Sequence, residues 1–315
     1  MISSDSPILS VVIPVYREGK YLGVVLATIF SELEKTGKSF EILLVDDGSP
    51  DNTWEVIIEI SVHYPMLRAL RLSRNFGKEY ALCAGLEAAK GNAVIVMDGD
   101  LQHPPHLISK MVRIWSESKV EIVEAIKVSR GKESFLGKVG ANLFYFILNI
   151  LSGYNLKGAS DYKLLDRQVV NAWLRMGERN LFFRGMSAWL GFRREHIYFE
   201  VADRAGGNSQ WSIFQLFKLA INSVTSFSSL PLHFVTLSGG IFLFFALILG
   251  YQALLQKFTG TAVSGFTTVI VLLLIVGSLL MISLGIIGVY IAKIYEEVKG
   301  RPRYIILDKI DGNKT

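Results

Sequence analysis

Cysteine is nearly absent from the sequence: its 315 residues include only Cys83. A single cysteine excludes an internal disulfide and is typical of a reducing compartment. It cannot form a metal site alone, so a metal would need other ligands. A signal peptide is not expected either, because the first apolar run, residues 8–15, is short and has no basic segment before it. We therefore expect the N-terminal domain to stay in the cytoplasm.

Charge is scarce in the C-terminal part of the chain. Within residues 231–292 the only charged residue is Lys257. This segment contains two apolar runs, about 232–255 and 267–292, each long enough to cross a hydrocarbon core of about 30 Å. The sequence therefore predicts two transmembrane helices that form a hairpin.

Basic residues flank the predicted hairpin unequally. Lys218 precedes it, and the residues that follow it include Lys293, Lys299, Arg301 and Arg303. Because positive charge accumulates on the cytoplasmic side of a membrane, both ends of the hairpin should face the cytoplasm. We predict a cytoplasmic N-terminal domain, residues 1–209, and a cytoplasmic basic tail, residues 293–315, on an inner or plasma membrane.

The formal net charge of +5 fits anionic partners. The basic residues are scattered along the chain and do not form one dense run. With membrane segments present, phospholipid headgroups and phosphorylated substrates are favoured over nucleic acid, which we do not expect as a partner.

Strands and helices alternate in the first hundred residues. Continuous apolar runs predict strands, and apolar residues at helical spacing predict helices between them. The strands are expected at 9–15, 40–45, 67–72 and 93–97, and the helices at 21–33, 52–63 and 79–90. This order predicts a mostly parallel, Rossmann-like α/β sheet covered on both faces.

Three of these strands end in polar turns, at residues 16–18, 46–49 and 98–102. Ligands of such sheets bind beyond the carboxyl ends of the strands. We therefore expect the three turns to share one crevice.

Two aromatic clusters, residues 135–154 and 211–218, are open to two interpretations. Either could be ordinary core packing. The second lies within residues 210–230, directly before the apolar segments, and is more typical of an amphipathic helix in the headgroup layer.

The segment Asp98-Gly-Asp100-Leu-Gln102 follows a predicted buried strand. In an extended segment Asp98, Asp100 and Gln102 point to the same side, so their oxygens could bind one Mg²⁺ or Mn²⁺ ion. A solvated acidic turn is the alternative. The acidic ends of two neighbouring strands favour the metal site.

Several motifs together resemble family 2 glycosyltransferases of the GT-A fold. They are Ser10-Val-Val-Ile-Pro-Val-Tyr-Arg-Glu18, Leu44-Val-Asp-Asp-Gly-Ser49, Arg74-Asn-Phe-Gly-Lys-Glu79 and Met97-Asp-Gly-Asp-Leu-Gln-His-Pro104. Within this family the chain is similar to the polyprenyl-phosphate group, which includes bactoprenol glucosyltransferases and dolichol-phosphate mannose synthase. The resemblance implies inverting transfer of a hexose, first of all glucose, from a UDP-sugar to undecaprenyl phosphate for cell-envelope glycosylation.

The resemblance also implies roles for single residues. It assigns nucleotide binding to Pro14, Tyr16, Glu18, Asp46, Asp47, Gly77, Lys78 and Asp98, with Asp46 and Asp47 at the uracil and ribose. Binding of the metal and diphosphate falls to Asp98, Asp100 and Gln102. The Asp46-Asp47-Gly-Ser segment could at the same time be a helix-capping turn.

For the lipid phosphate the resemblance points to basic residues further along the chain. They are Lys127, Arg130, Lys132, Lys138 and Arg204, together with Ser209 and Gln210. Gln210 stands where the family usually has Lys, so Arg204 is the stronger candidate and is also a candidate catalytic residue. For each lysine, the alternative to phosphate binding is an ordinary solvated position on the protein surface.

Asp161 is a candidate catalytic residue as well. A phosphate monoester has a second pKa of about 6, so the acceptor is already a dianion at neutral pH and needs no base. We therefore expect Asp161 to orient a basic residue or the sugar, or to cap a helix.

Other functions stay open from sequence alone. The donor could be GDP-mannose or a UDP-aminoarabinose derivative, and a non-catalytic flippase component is a further alternative. A processive polysaccharide synthase is disfavoured, because the chain lacks a Gln-x-x-Arg-Trp motif. Gly239, Gly240 and Gly285 are small residues that could favour a homo-oligomer in the bilayer.

Overall fold

The computed structural model describes residues 7–99, 103–129, 160–179, 181–200, 230–259 and 265–312. The chain divides into two compact units. One consists of residues 1–210 together with 301–315, and the other of residues 211–300.

The first unit is built on one eight-stranded sheet. Its first four strands are β1 (Leu9–Val15), β2 (Phe40–Asp46), β3 (Leu67–Leu72) and β4 (Ala93–Val96). The helices between and after them are α1 (Leu22–Glu34), α2 (Thr53–His63), α3 (Lys78–Ala88) and α4 (Leu107–Glu117). Parallel pairing joins β4 to β1, β1 to β2 and β2 to β3. The predicted mostly parallel α/β architecture is confirmed, with predicted boundaries close to the observed ones.

The second half of this unit adds elements that the sequence patterns did not predict. They are β5 (Ile122–Ser129), β6 (Lys163–Asp166), α5 (Arg167–Arg175), α6 (Phe183–Trp189) and β7 (Arg194–Glu200). Strand β6 lies antiparallel between β4 and β5, and β7 is parallel to β5.

The last strand of the sheet comes from the far end of the chain. Strand β8 (Ile306–Ile310) pairs antiparallel with β3, which gives the strand order β7-β5-β6-β4-β1-β2-β3-β8. The segment expected as a basic tail therefore contains an edge strand of the N-terminal domain's sheet.

The second unit contains two long helices, α7 (Leu230–Phe258) and α8 (Phe266–Val298). Both have stretches long and apolar enough to cross a membrane, at Pro231–Gln252 and Val271–Val298. Their large apolar side chains are mostly exposed, as they are in Phe244, Leu273 and Met281. The predicted pair of long apolar helices is confirmed, and α8 continues beyond the predicted end at residue 292.

Close packing of α3 against the sheet depends on Gly85. A Cβ atom at Gly85 would overlap the side chain of Val12 in β1 and lie 3.2 Å from Cγ2 of Val45 in β2. Gly23 in α1 differs, because the nearest atom to a Cβ there would be Ile60 Cδ1 at 3.9 Å.

These two glycines form a matched test of the packing. Gly23 lies in the first turn of α1, where alanine favours the helix over glycine by up to about 1 kcal/mol, so Gly23→Ala should leave the melting temperature unchanged or raise it. Gly85→Ala should lower stability by about 1–3 kcal/mol, because overpacking outweighs helix propensity. Thermal unfolding of the purified variants measures both, and an unchanged Gly85→Ala protein would contradict the packing.

Candidate active site

A cavity of about 300 Å³ lies at the carboxyl ends of the parallel strands. Its walls come from the segments that follow β1, β2, β3 and β4. The lining residues are Pro14, Val15, Tyr16, Glu18, Asp47, Asn75, Gly77, Lys78, Asp98 and Gly99. The expected crevice is confirmed for the described residues, and the loop after β3 contributes Asn75, which the sequence analysis did not single out.

The loop after β1 is held by hydroxyl groups of the neighbouring turn. The N–H of Arg17 donates to Ser49 Oγ at 3.0 Å, and the N–H groups of Glu18 and Gly19 both donate to Thr53 Oγ1 at 3.1 Å. Arg17 has a φ of 59°, a conformation that is unusual for a residue with a side chain. These bonds fix the backbone on either side of Arg17 and so place Tyr16 and Glu18 in the cavity wall.

The Asp47 carboxylate organises the loop after β3. It accepts hydrogen bonds from the N–H groups of Phe76 and Gly77, both at 2.8 Å. Burial raises the pKa of Asp47, and these two bonds offset only part of that rise. Asp47 therefore both lines the cavity and holds the opposite wall in place.

Asp46 lies deeper than Asp47. It is fully buried, and its Oδ1 accepts from the N–H of Ser49 at 3.0 Å. Burial raises its pKa. Asp46 is not among the residues that line this cavity. These contacts form a turn, but the turn does not cap a helix, because α2 begins at Thr53 and its N-cap residue is Asn52. The helix-capping interpretation is therefore wrong, and nucleoside binding by Asp46 and Asp47 stays a prediction.

The turn after β2 also presses directly against the loop after β3. Gly48 has a φ of 64°, and a Cβ there would lie 2.7 Å from Arg74 Cα and 2.8 Å from its carbonyl oxygen. Only glycine allows both this φ and this close approach without strain.

An ion-pair chain crosses the site. Lys78 Nζ lies 2.6 Å from Asp98 Oδ1 and 2.8 Å from Asp161 Oδ2. Arg184 donates to both oxygens of Asp161, from Nε at 2.7 Å and from Nη2 at 2.9 Å. Asp161, a candidate residue from the sequence analysis, lies 63 positions beyond Asp98. The fold brings its carboxylate into contact with the same Lys78 ammonium group that pairs with Asp98.

These contacts determine the protonation of Asp161 and Lys78. Burial alone would raise the pKa of Asp161, but the Arg184 and Lys78 side chains outweigh it and hold that pKa well below its usual range. Burial would lower the pKa of Lys78, yet the two carboxylates raise it above its usual value. Both groups are therefore charged near neutral pH, and an ionised Asp161 engaged with two cations is a poor general base.

Glu79 connects the start of α3 to the start of α6. Its Oε2 accepts from the N–H of Phe183 at 2.7 Å. Burial, reinforced by the nearby Asp161 charge, raises the pKa of Glu79 to about 7. Lys78, which precedes Glu79, and Arg184, which follows Phe183, are the two cations that bind Asp161.

Glu79 should make stability depend on pH. The pKa of Glu79 is about 7 in the folded protein, against an ordinary value of 4.5 that applies to the unfolded chain. The folded protein therefore binds the proton more tightly than the unfolded chain does, and the free energy of unfolding should fall as the pH rises from 4.5 to about 7. The loss is up to about 3 kcal/mol. Glu79→Gln keeps an acceptor for Phe183 and should remove this part of the slope. Melting temperatures across this interval test it, with exposed Glu55→Gln as control; an unchanged slope in Glu79→Gln would contradict it.

His103 and Tyr162 support Asp98 from behind. The N–H of Asp98 donates to His103 Nδ1 at 2.9 Å, and the His103 ring stacks on Tyr162 with centroids 4.9 Å apart. The Tyr162 hydroxyl donates to the carbonyl oxygen of Pro104 at 3.0 Å. His103 lies inside the motif quoted above, but only the structure shows this role.

The predicted metal ligands are described only in part. Asp98 offers a hard carboxylate oxygen at the cavity wall, and a side chain at Gly99 would overlap Glu18 Oε2. Asp98 therefore fits one ligand position of a divalent cation. Asp100 and Gln102 lie outside the described residues, among which no group of three or more acidic, histidine or cysteine side chains is arranged for a metal.

Most of the predicted lipid-phosphate residues also lie outside the described part of the chain, namely Arg130, Lys132, Lys138, Arg204, Ser209 and Gln210. Lys127 is described, in β5, where its register partner is Phe199 of β7 and its side chain is exposed. Its predicted role stays a prediction.

A mostly parallel α/β sheet with an acidic and basic cavity at its carboxyl edge defines a class of ligand-binding α/β enzymes. The model of glycosyl transferase family 2 matches residues 10–177. The chain belongs to this family.

Similar proteins cover nearly the whole chain. An uncharacterised glycosyltransferase of Synechocystis is 37% identical and covers 95% of both chains. The prophage-derived bactoprenol glucosyl transferase of Shigella flexneri is 34% identical over 97% of this chain and 99% of the relative. Among solved structures, glucosyl-3-phosphoglycerate synthase of Mycobacterium tuberculosis, in complex with Mn²⁺, UDP and glucosyl-3-phosphoglycerate, has 20% identity and a TM-score of 0.47 over 70% of this chain and 78% of that one.

Proposed function

We propose that the protein transfers glucose from UDP-glucose to undecaprenyl phosphate with inversion at the anomeric carbon. The observation that carries this proposal is the placement of Lys78, Asp98 and Asp161 in one site of a family 2 glycosyltransferase. The near full-length similarity to a bactoprenol glucosyl transferase supports the choice of acceptor and sugar.

In this reaction a lipid phosphate oxygen forms a bond to the anomeric carbon while the bond from that carbon to the diphosphate breaks. The sugar passes through an oxocarbenium-like state, and negative charge grows on the leaving diphosphate. Lys78, fixed between Asp98 and Asp161, supplies a positive charge at the cavity wall for that anion. The charge is in place before the reaction, so little reorganisation is needed.

Asp98, with Asp100 and Gln102, would hold a Mg²⁺ or Mn²⁺ ion. When bound, that ion would neutralise the diphosphate. Asp161 acts as a positioning residue, because both of its oxygens are engaged by Lys78 and Arg184.

Transfer can be measured directly with the purified full chain. Radiolabelled UDP-glucose and undecaprenyl phosphate should give a lipid-extractable sugar, whereas GDP-mannose and a UDP-aminoarabinose derivative should give far less. Asp100→Ala should reduce transfer by about a hundredfold or more, because charge on the leaving group is no longer stabilised. Membrane insertion of this variant should be unchanged.

Exposed Glu55→Ala on α2 is the matched control and should transfer at the wild-type rate. If only another donor supported transfer, the sugar of that donor would replace glucose in the proposal. Absence of transfer from every donor would reject the lipid-phosphate acceptor, and full activity of Asp100→Ala would reject the metal ligand assignment.

The proposal includes a membrane location with both ends of the hairpin in the cytoplasm. Strand β8 follows α8 and pairs with β3, which precedes α7. If α7 and α8 each cross the bilayer, this pairing requires the chain to return to the side from which it left. The distribution of basic residues predicts that this side is the cytoplasm.

Cysteine labelling tests this orientation with little background, since native Cys83 is fully buried. In intact cells a membrane-impermeant maleimide should label Lys257→Cys, which lies in α7 beyond the candidate span Pro231–Gln252 and is predicted to be external. Lys299→Cys should be labelled only after permeabilisation. The reverse pattern would contradict the proposed orientation.

A further inference from the structure

The loop between β3 and α3 forms part of the cavity wall through Asn75, Gly77 and Lys78. The turn after β2 supports its middle, through the Asp47 carboxylate and the close approach of Gly48 to Arg74. Its beginning has a different support: the N–H of Ser73 donates to the carbonyl oxygen of Ile305 at 2.9 Å. That second support comes from the segment that follows α8.

A side chain of the same segment, Asp308, pairs with Arg71, which in turn lies close to Asp46. Arg71 Nη1 lies 3.8 Å from Asp308 Oδ2, and its Nε lies 3.7 Å from Asp46 Oδ2. The second oxygen of Asp46 is buried without a hydrogen bond among the described residues, so the nearby Arg71 charge matters for it. Trp54 faces Arg71 from another side, with the guanidinium carbon 5.8 Å from the ring centre.

Arg303 attaches the segment to α3 and α5. Its Nη2 donates to the carbonyl oxygen of Met176 at 2.6 Å, and its Nη1 donates to Cys83 Sγ at 3.4 Å and lies 3.7 Å from Glu87 Oε1. Tyr304 donates its hydroxyl proton to Glu87 as well. Helix α3 begins at Lys78, so these contacts hold the helix whose first residue lines the cavity.

We propose that residues 303–308, here called the C-terminal clasp, position the loop and helix that bind the donor nucleotide. Arg303 and Asp308 are its positioning residues, and neither lines the cavity. This proposal rests on the proposed function, since it assigns the cavity to the donor. It makes nucleotide affinity depend on a segment attached directly to the second candidate membrane helix.

Two variants of the full chain test the clasp. Arg303→Ala removes contacts to the Met176 carbonyl and to α3, so the Kd for UDP and the KM for UDP-glucose should rise by about tenfold. Asp308→Asn breaks a half-exposed ion pair and should raise both by about threefold. In both variants kcat should stay within about twofold of wild type, since lost ground-state binding raises KM alone. Arg303→Lys should recover part of the affinity.

Arg301→Ala and Asp311→Asn are the matched controls. Arg301 is exposed, and Asp311 pairs with Arg68 at 3.5 Å rather than with Arg71. Both controls should bind UDP as the wild type does. The melting temperature of each variant shows whether that variant folds. If Arg303→Ala does not fold, the Kd for UDP of Asp308→Asn, a change at the surface, decides the test.

The two proposals fail in different ways. Wild-type Kd values for UDP in folded Arg303→Ala and Asp308→Asn would overturn the clasp, even if the wild type transfers glucose. Weaker UDP binding in these variants, with no sugar transfer by the wild type, would sustain the clasp as a support of a nucleotide site and reject the proposed reaction.

Discussion

The arrangement of the site depends on the two ion pairs that the Lys78 ammonium group forms. This group lies between Asp98, in the segment that follows β4, and Asp161, in the segment that precedes β6. Asp161 is largely buried, with 8% of its side chain exposed, whereas Lys78 is partly exposed. Removing the cations that pair with a buried carboxylate leaves an uncompensated charge, which costs far more than an exposed pair contributes. The cation therefore fixes three distant segments relative to one another, and Arg184 brings α6 into the same network.

Backbone contacts add a second constraint that side chains alone could not supply. Asp47 binds two consecutive N–H groups of the opposite loop, and Gly48 lets the two backbones meet. A cavity whose walls are tied to each other in this way loses little freedom when a ligand binds, which favours affinity. The raised pKa of Asp47 is the electrostatic cost of placing a carboxylate in that position.

Local patterns were sufficient for the first half of the fold and insufficient for the second. Strands β1 to β4 are apolar runs separated by helices, and parallel strands joined in this way end at the same edge of the sheet, so their boundaries and their shared edge could be predicted. Strand β6 is as short as β4, but only two of its four residues are apolar, whereas all four of β4 are. It therefore gives no continuous apolar run, and it lies antiparallel between its neighbours. Lys78 and Asp161 were both singled out, but their contact spans 83 positions and no local pattern predicts it.

The C-terminal segment shows how one residue can satisfy two constraints. Arg303 was counted among the positive charges that predict the orientation of the hairpin, yet its guanidinium is largely buried against Met176, Cys83 and Glu87. Its presence is thus explained by packing alone, and it is weak evidence for orientation. Pairing of β8 with β3 gives independent support that the hairpin returns to its own side, because hydrogen bonds between strands do not depend on charge. The choice of the cytoplasm as that side then depends on Lys293, Lys299 and Arg301, and the orientation stays a proposal.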